Sequence, residues 1–134
     1  FEALSRCAAE VVFVDEWQGA TKAIEENIKL LLCQDRCQVI KADVYKFLRH
    51  ADRQYDLVFV DPPYRLENAV DLPRRIFDRS LAAPSGFVIM EHAARVGVEP
   101  SDGFELLLER TFGNTKVSFF MAAQSTAAPR STTP

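Results

Sequence analysis

The sequence is poor in the residues from which most metal and nucleotide-cradling sites are built. Its 134 residues include only three cysteines, two histidines and five glycines. Cys7, Cys33 and Cys37 are an odd set without a paired metal-ligand spacing, and His50 and His92 stand far apart. We therefore expect reduced thiols and no metal site.

Long apolar runs and a strong charge of either sign are also missing. No apolar run approaches the roughly 18 residues that cross a bilayer, and no charged-then-apolar leader opens the sequence. We therefore expect a cytoplasmic protein without a membrane partner. The net charge of -3 gives no overall attraction for nucleic acid, so any nucleic-acid contact must be local.

The two ends of the sequence differ from its middle. The segment Phe1–Arg6 favours a helix from its first position without a preceding cap, which predicts a truncated start. Residues 124–134 are rich in Ser, Thr, Ala and Pro and offer little to bury. We expect one domain over residues 1–123, followed by a disordered tail.

Between these ends, apolar strands alternate with helical patterns. Strands are predicted at residues 11–14, 38–41, 57–60 and 87–90, and the apolar run at 11–14 predicts a buried strand. Helices are predicted near 17–33, 44–50 and 68–81, with Pro73 in the first turn of the last helix or at a kink in it. This alternation predicts βαβ units and a mostly parallel sheet of the α/β class. A turn around Gly113-Asn114 then predicts an antiparallel hairpin from residues 105–110 and 116–122.

Acidic residues stand at the end of each predicted parallel strand. They are Asp15 with Glu16, Asp43, Asp61 and Glu91. Ligands of open α/β sheets bind outside the carboxyl ends of the strands, so these acids predict a ligand-binding rim. For Asp43, which precedes a helix, a helix N-cap is an equally good interpretation.

The strand at 57–60, which we expect to be buried, runs directly into Asp61-Pro62-Pro63-Tyr64. Prolines lack an N–H and end the ladder, which holds Asp61 at the tip of the strand. The carboxylate of Asp61 and a carbonyl of the turn can accept the hydrogens of a nucleobase amino group and localise its lone pair. Tyr64 would stack on that base, which must be unpaired or flipped out. The structural alternative is a rigid turn with an Asp cap and a buried tyrosine.

An amino group whose lone pair is localised in this way can attack a methyl donor. No residue suggests a covalent methyl carrier, so this donor must arrive already activated, as in a sulfonium. Asp15 or Glu16 can accept from the two ribose hydroxyls of such a donor, and Asp43 from its adenine amino group. Trp17 or Val44 can lie against the adenine faces. For Trp17 we give more weight to a role in packing or covering the core.

These residues resemble the bacterial small-subunit ribosomal RNA guanine-N2 methyltransferase family, within the class I S-adenosylmethionine-dependent methyltransferases. The resemblance extends to about Ala123. Phe1–Arg6 is similar to the segment after that family's glycine-rich cofactor loop, Phe59–Tyr64 to its catalytic turn, and Arg110–Thr115 to its terminal hairpin.

The resemblance implies a Rossmann-like sheet and methyl transfer from S-adenosylmethionine to a guanine amino group of 16S ribosomal RNA. The substrate would be this RNA or a partly assembled small subunit, and the enzyme a monomer. Asp61 and Tyr64 carry over directly, with Pro62 and Pro63 between them. Asp15 carries over to the ribose-binding acid, and Asp43 to the acid near adenine.

Two features of the family are missing, namely the first strand and the glycine-rich loop, and the five glycines here form no cluster. We therefore expect a sheet without its first strand and weak or absent cofactor binding. The alternatives are a DNA adenine or cytosine amino-methyltransferase, which shares the tetrapeptide, and a non-catalytic fragment that keeps the fold.

Two smaller features complete the sequence predictions. Four arginines follow the tetrapeptide and either contact RNA phosphates or form a solvated helix face; they are Arg65, Arg74, Arg75 and Arg79. For His92 we expect a structural role.

Overall fold

A computed structural model describes residues 1–66 and 68–124 of the chain. The chain divides into two compact units, Phe1–Ala51 and a second that begins at Asp52, and we describe each by itself. The single domain expected over residues 1–123 stays a prediction. The expected disordered tail lies, apart from Gln124, outside the described residues.

Besides a 3-10 helix (Gln34–Arg36), the first unit contains three α-helices and two strands. These are α1 (Glu2–Ser5), β1 (Val11–Asp15), α2 (Gln18–Leu30), β2 (Cys37–Lys41) and α3 (Val44–His50). The two strands pair in parallel, with Val11 opposite Cys37 and Asp15 opposite Lys41. The pairing confirms the first βαβ unit and brings both carboxyl ends to one edge.

The core of the first unit lies between α2 and the two strands. Ile28 and Cys33 are buried with Leu4, and the rings of Phe1 and Phe13 pack with centroids 4.9 Å apart. The strand β1 is half-buried along its whole length, not buried as its apolar run predicted. Among the described strands it pairs on one side only, which explains the exposure.

The two cysteines of this core remain thiols. The Sγ atoms of Cys33 and Cys37 lie 3.6 Å apart, and all three cysteines are free. Burial, together with contact with the Cys33 thiol, raises the pKa of the Cys37 thiol. Within the described residues, no group of three or more His, Cys, Asp or Glu side chains is arranged to hold a metal ion.

Besides a 3-10 helix (Ala69–Asp71), the described part of the second unit contains one α-helix and four strands. They are β3 (Tyr55–Val60), α4 (Leu72–Asp78), β4 (Ala82–Ala93), β5 (Phe104–Phe112) and β6 (Thr115–Ala122). The strand order is β3-β4-β6-β5. The pair β3 and β4 is parallel, and β6 is antiparallel to both of its neighbours.

One face of this sheet forms the core of the second unit. Val88 and Met90 of β4 and Phe120 of β6 are fully buried, and Phe104 is 1% exposed. Phe77 of α4 stacks on Phe104 with ring centroids 5.0 Å apart. The helix therefore covers this face through aromatic packing.

The opposite face of the sheet carries apolar side chains that remain exposed. In β3, Leu57 is 45% exposed and Phe59 is 65% exposed. The sequence prediction of a buried strand here is therefore wrong. β3 is an edge strand of its sheet, and the aromatic packing of α4 lies on the other face.

Most of the predicted architecture is confirmed. The fold is α/β, α3 has the predicted bounds, and Pro73 lies in the first turn of α4. The sheets are more mixed than expected, because among the described strands only β1 with β2 and β3 with β4 pair in parallel. The antiparallel terminal hairpin is β5 with β6. Over the part of the chain that is described, no helix has both the length and the apolar character to cross a membrane.

The close approach of β3 and β4 at Gly86 can be tested by substitution. A Cβ at this position would lie 2.9 Å from the Asp56 carbonyl oxygen and 3.0 Å from that of Tyr55. We expect Gly86→Ala to lower the free energy of unfolding by about 1–3 kcal/mol, because the surrounding backbone atoms cannot move away from the added methyl group without distorting the strands. Urea denaturation measures the change.

Gly97→Ala is the matched control for this substitution. Its Cβ would meet only the Glu99 side chain, at 3.8 Å. Equal stability of the two variants would contradict the packing described here.

Candidate functional site

The acids of the first unit lie together at the carboxyl edge of β1 and β2. Asp15 is the last residue of β1, and Asp43 follows β2. The backbone carbonyl of Asp15 accepts a hydrogen bond from the N–H of Ala42 at 3.1 Å, so the two chain exits are adjacent. Parallel pairing produces this arrangement, as the sequence predicted.

The carboxylate of Asp15 also organises the start of α2. Its Oδ1 accepts from the backbone N–H of Trp17 at 2.7 Å. Trp17 is 71% exposed, and its ring lies so close to Gly19 that a Cβ there would come within 2.5 Å of it. Trp17 is therefore not a core residue, and its indole covers the first turn of α2. Glu16 is exposed beside it.

Asp43 is the N-cap of α3. Its Oδ1 accepts from the backbone N–H of Lys46 at 3.0 Å, which satisfies one of the donors that a helix start leaves unpaired. Val44, the first residue of the helix, is half-buried. The capping interpretation of Asp43 is thus confirmed. The cap uses only one of the two carboxylate oxygens of Asp43.

In the second unit, the tetrapeptide begins at Asp61, the residue directly after β3. Val60 pairs with Met90, so Asp61 leaves the sheet beside β4. Asp61 and Pro63 are exposed, and Pro62 is half-buried. The Pro63 carbonyl accepts from the N–H of Leu66 at 2.9 Å, which closes the turn.

Tyr64 is exposed and is held at its hydroxyl end. The side chain is 51% exposed, which rules out the buried tyrosine of the structural alternative. Its hydroxyl lies 2.6 Å from Thr115 Oγ1 and donates to Glu91 Oε1 at 3.4 Å, so Thr115 can donate to it. These two contacts at the hydroxyl restrict the orientation of the ring, and about half of the side chain stays accessible to a ligand.

Two sequence predictions about β4 have different outcomes. Glu91 lies inside β4, which extends to Ala93, and not at the strand's end as predicted, because the antiparallel ladder with β6 prolongs the strand. His92 is 4% exposed, and its Nε2 lies 2.8 Å from Ser118 Oγ. The expected structural role of His92 agrees with this burial.

Thr115 is the residue of the site that sequence reasoning missed. It stands 51 positions from its partner Tyr64 and opens β6 opposite Ala93. A lone threonine after a turn has no distinctive pattern, and only the register of β4 with β6 brings it to Tyr64. The signal that pointed nearby was the predicted hairpin.

The fold is similar to those of solved proteins whose names describe a methylase or a methyltransferase. A "putative methylase" of Haemophilus influenzae matches with a TM-score of 0.82 at 24% identity, covering 92% of this chain and 79% of that one. The methyltransferase PaMTH1 of Podospora anserina, solved with SAH bound, matches with a TM-score of 0.68 at 16% identity, covering 86% and 61%.

The chain belongs to the family described as Conserved hypothetical protein 95, whose model matches residues 1–121. It is 29% identical over 124 residues to the Bacillus subtilis protein named "Putative rRNA methyltransferase YlbH". It is 27% identical over 116 residues to Ribosomal RNA small subunit methyltransferase D of Haemophilus influenzae. These matches cover 89% and 84% of this chain, and 67% and 60% of the relatives' lengths.

The two interpretations of Asp43 can be separated by substitution. We expect Asp43→Ala to lower the free energy of unfolding by about 1 kcal/mol, because the N-cap is lost. Asp43→Asn keeps a side-chain acceptor and should stay close to the original stability. Thermal denaturation of both variants measures the cap, and an equally destabilised Asn variant would contradict it.

Proposed function

We propose that this protein methylates the exocyclic amino group of a guanine in 16S ribosomal RNA, with S-adenosylmethionine as the methyl donor. The observation that carries the proposal is the Asp61-Pro62-Pro63-Tyr64 turn, which leaves the carboxyl end of β3 with an exposed, hydroxyl-anchored tyrosine. The names of the relatives support ribosomal RNA as the substrate class.

The acceptor chemistry follows from the groups at this turn. The amino nitrogen of guanine is a weak nucleophile, because its lone pair is delocalised into the ring. Hydrogen bonds from its two hydrogens to the Asp61 carboxylate and to the Pro62 carbonyl would hold the nitrogen in a geometry that localises the lone pair. The turn contributes a fixed position for both acceptors, and Asp61 can receive the proton that the methylated nitrogen loses.

Tyr64 would provide the stacking surface for the target base. A half-exposed ring tethered at its hydroxyl can present one face to a planar base without losing further side-chain freedom. Stacking requires the guanine to be unpaired or flipped out of a helix. We therefore infer that the target nucleotide is single-stranded at the moment of transfer.

The residues of the first unit fit the nucleoside part of the cofactor. S-adenosylmethionine would supply a methyl group already activated on a sulfonium. The second carboxylate oxygen of Asp15, whose Oδ1 is engaged by Trp17, is the acceptor that we assign to the ribose hydroxyls. We assign Glu16 as a second acid there, Asp43 to the adenine amino group, and Trp17 and Val44 to the adenine faces.

We assign residues to the nucleoside part of the cofactor but none to its methionine part. The five glycines lie at positions 19, 86, 97, 103 and 113, and they form no cluster that could cradle it. This observation favours a second candidate, a non-catalytic RNA-binding module with the same fold. Calorimetry with S-adenosylhomocysteine separates the two candidates, because measurable binding, even if weak, is expected for the methyltransferase and no binding for the module.

An RNA substrate also suggests where the protein works and in what form. Small-subunit ribosomal RNA is assembled in the bacterial cytoplasm, so we propose a cytoplasmic protein that meets the RNA or a partly assembled subunit. We propose that it acts as a monomer, and size-exclusion chromatography with light scattering would test that form.

The decisive substitution is Asp61→Ala. The chain would be incubated with radiolabelled S-adenosylmethionine and small-subunit RNA or immature subunits, and label in 16S RNA would be counted. We expect the variant to lose about 100-fold or more in transfer rate, since an acceptor of the reacting amino group is removed. Cofactor affinity should stay unchanged.

Asp56→Ala provides the matched control, because Asp56 is an exposed acid at the other end of the same strand. It should transfer methyl groups as the original chain does. Equal rates for the Asp61 and Asp56 variants would remove Asp61 from the mechanism, and label in duplex DNA but not in RNA would favour a DNA amino-methyltransferase.

A further inference from the structure

The β5–β6 hairpin ends beside the tetrapeptide and is held there rigidly. Its turn residues are Gly113, with a φ of +60°, and Asn114. The Asn114 carbonyl accepts from the N–H of Ala94 at 2.8 Å, which ties the turn to the end of β4. Thr115, the next residue, contacts the Tyr64 hydroxyl. The hairpin end is therefore fixed to the same strand end and tyrosine as the proposed site.

Phe112 stands on the other side of this turn, directly opposite Thr115. Directly opposed residues of an antiparallel pair point to the same face, with Cβ atoms about 4.5–5.5 Å apart. Phe112 and Tyr64 are thus both neighbours of Thr115. Phe112 is 65% exposed, so most of its side chain is accessible to a ligand.

The charges around these two rings suit an RNA strand. Arg65 follows Tyr64 in the chain and is exposed. Arg110 is exposed two residues before Phe112, so it lies on the same face of β5. Of the acids on this face, Glu91 accepts from the Tyr64 hydroxyl, and Glu105 lies at the far end of β5, opposite Met121. Two aromatic rings flanked by two guanidinium groups are the combination with which proteins bind single-stranded nucleic acid.

We propose that Phe112 is a second stacking surface, which binds the base next to the target guanine in a single-stranded RNA segment. Tyr64 takes the target base and Phe112 takes its neighbour, with Thr115 fixing the spacing between the two rings. Arg65 and Arg110 contact the phosphates of that segment. This inference rests on the proposed function and adds a substrate-binding residue that takes no part in the methyl transfer itself.

Two other exposed rings of the described sheet, Phe59 and Phe87, are not neighbours of Thr115 in the strand register. Phe87 lies on the same face in the middle of β4, opposite Leu57 and Met121, among apolar neighbours. It is 37% exposed. Phe87 therefore serves as a control aromatic on the same face, distant from the hairpin turn in the strand register.

The test compares two RNA ligands on four proteins. Binding of a fluorescently labelled single-stranded RNA pentanucleotide with a central guanosine, and of guanosine monophosphate, would be measured for the original chain, Phe112→Leu, Phe112→Tyr and Phe87→Leu. The leucine variants keep an apolar side chain and remove the ring. Circular dichroism checks that every variant is folded.

We expect Phe112→Leu to weaken pentanucleotide binding about 5- to 100-fold, the usual effect of losing one stacked base. Binding of guanosine monophosphate should not change, because the mononucleotide has no neighbouring base. Phe112→Tyr and Phe87→Leu should bind both ligands as the original chain does.

Four results would overturn the inference. They are unchanged pentanucleotide binding by Phe112→Leu, an equal loss in Phe87→Leu, an equal loss for the mononucleotide, and no pentanucleotide binding by the original chain. The proposed function is tested separately, in the transfer assay. If the original chain labels 16S RNA but Phe112→Leu binds the pentanucleotide normally, the role of Phe112 is refuted and the proposed function is not.

Discussion

The parallel ladder between β3 and β4 is the constraint on which the proposed acceptor site depends. It sets the point at which the chain leaves the sheet, because Val60 pairs with Met90 and the next residue is Asp61. Two prolines then prevent the strand from continuing. The same strand β4 pairs with β6, and that antiparallel register brings Thr115 to the Tyr64 hydroxyl. Parallel and antiparallel pairing on one strand therefore assemble a site from residues far apart in the sequence.

The candidate cofactor residues of the first unit combine structural and ligand-binding capacity. Asp15 and Asp43 each use one carboxylate oxygen to accept a backbone N–H at the start of a helix. Such contacts fix the carboxylates before any ligand arrives, so little side-chain freedom is left to lose on binding. Structural and ligand-binding roles are therefore compatible in these residues.

The sequence predicted those features that depend on short-range pattern. The bounds of α3, the place of Pro73 and the Gly113-Asn114 turn all follow from local chemistry, and the structure confirms them. Pattern was less informative about burial, because an apolar run such as β3 is buried only if both of its faces are covered. Leu57 and Phe59 show that one face is not.

The contact between Tyr64 and Thr115 is the part of the site that no local pattern could supply. It depends on a strand register set by many residue pairs between β4 and β6. The length of β4 was underestimated for the same reason, since Glu91 and His92 are polar residues that only cross-strand partners keep in a strand. Long-range pairing, and not composition, decides both features.

The central claim is that the Asp61–Tyr64 turn receives the target guanine. A small-subunit RNA segment that carries 6-thioguanosine at the target position would be photo-crosslinked to the chain, and the attached peptides identified by mass spectrometry. We expect crosslinks at residues 61–66. Crosslinks confined to Phe1–Ala51 would contradict the claim, because they would place the target base on a unit that contains neither Asp61 nor Tyr64.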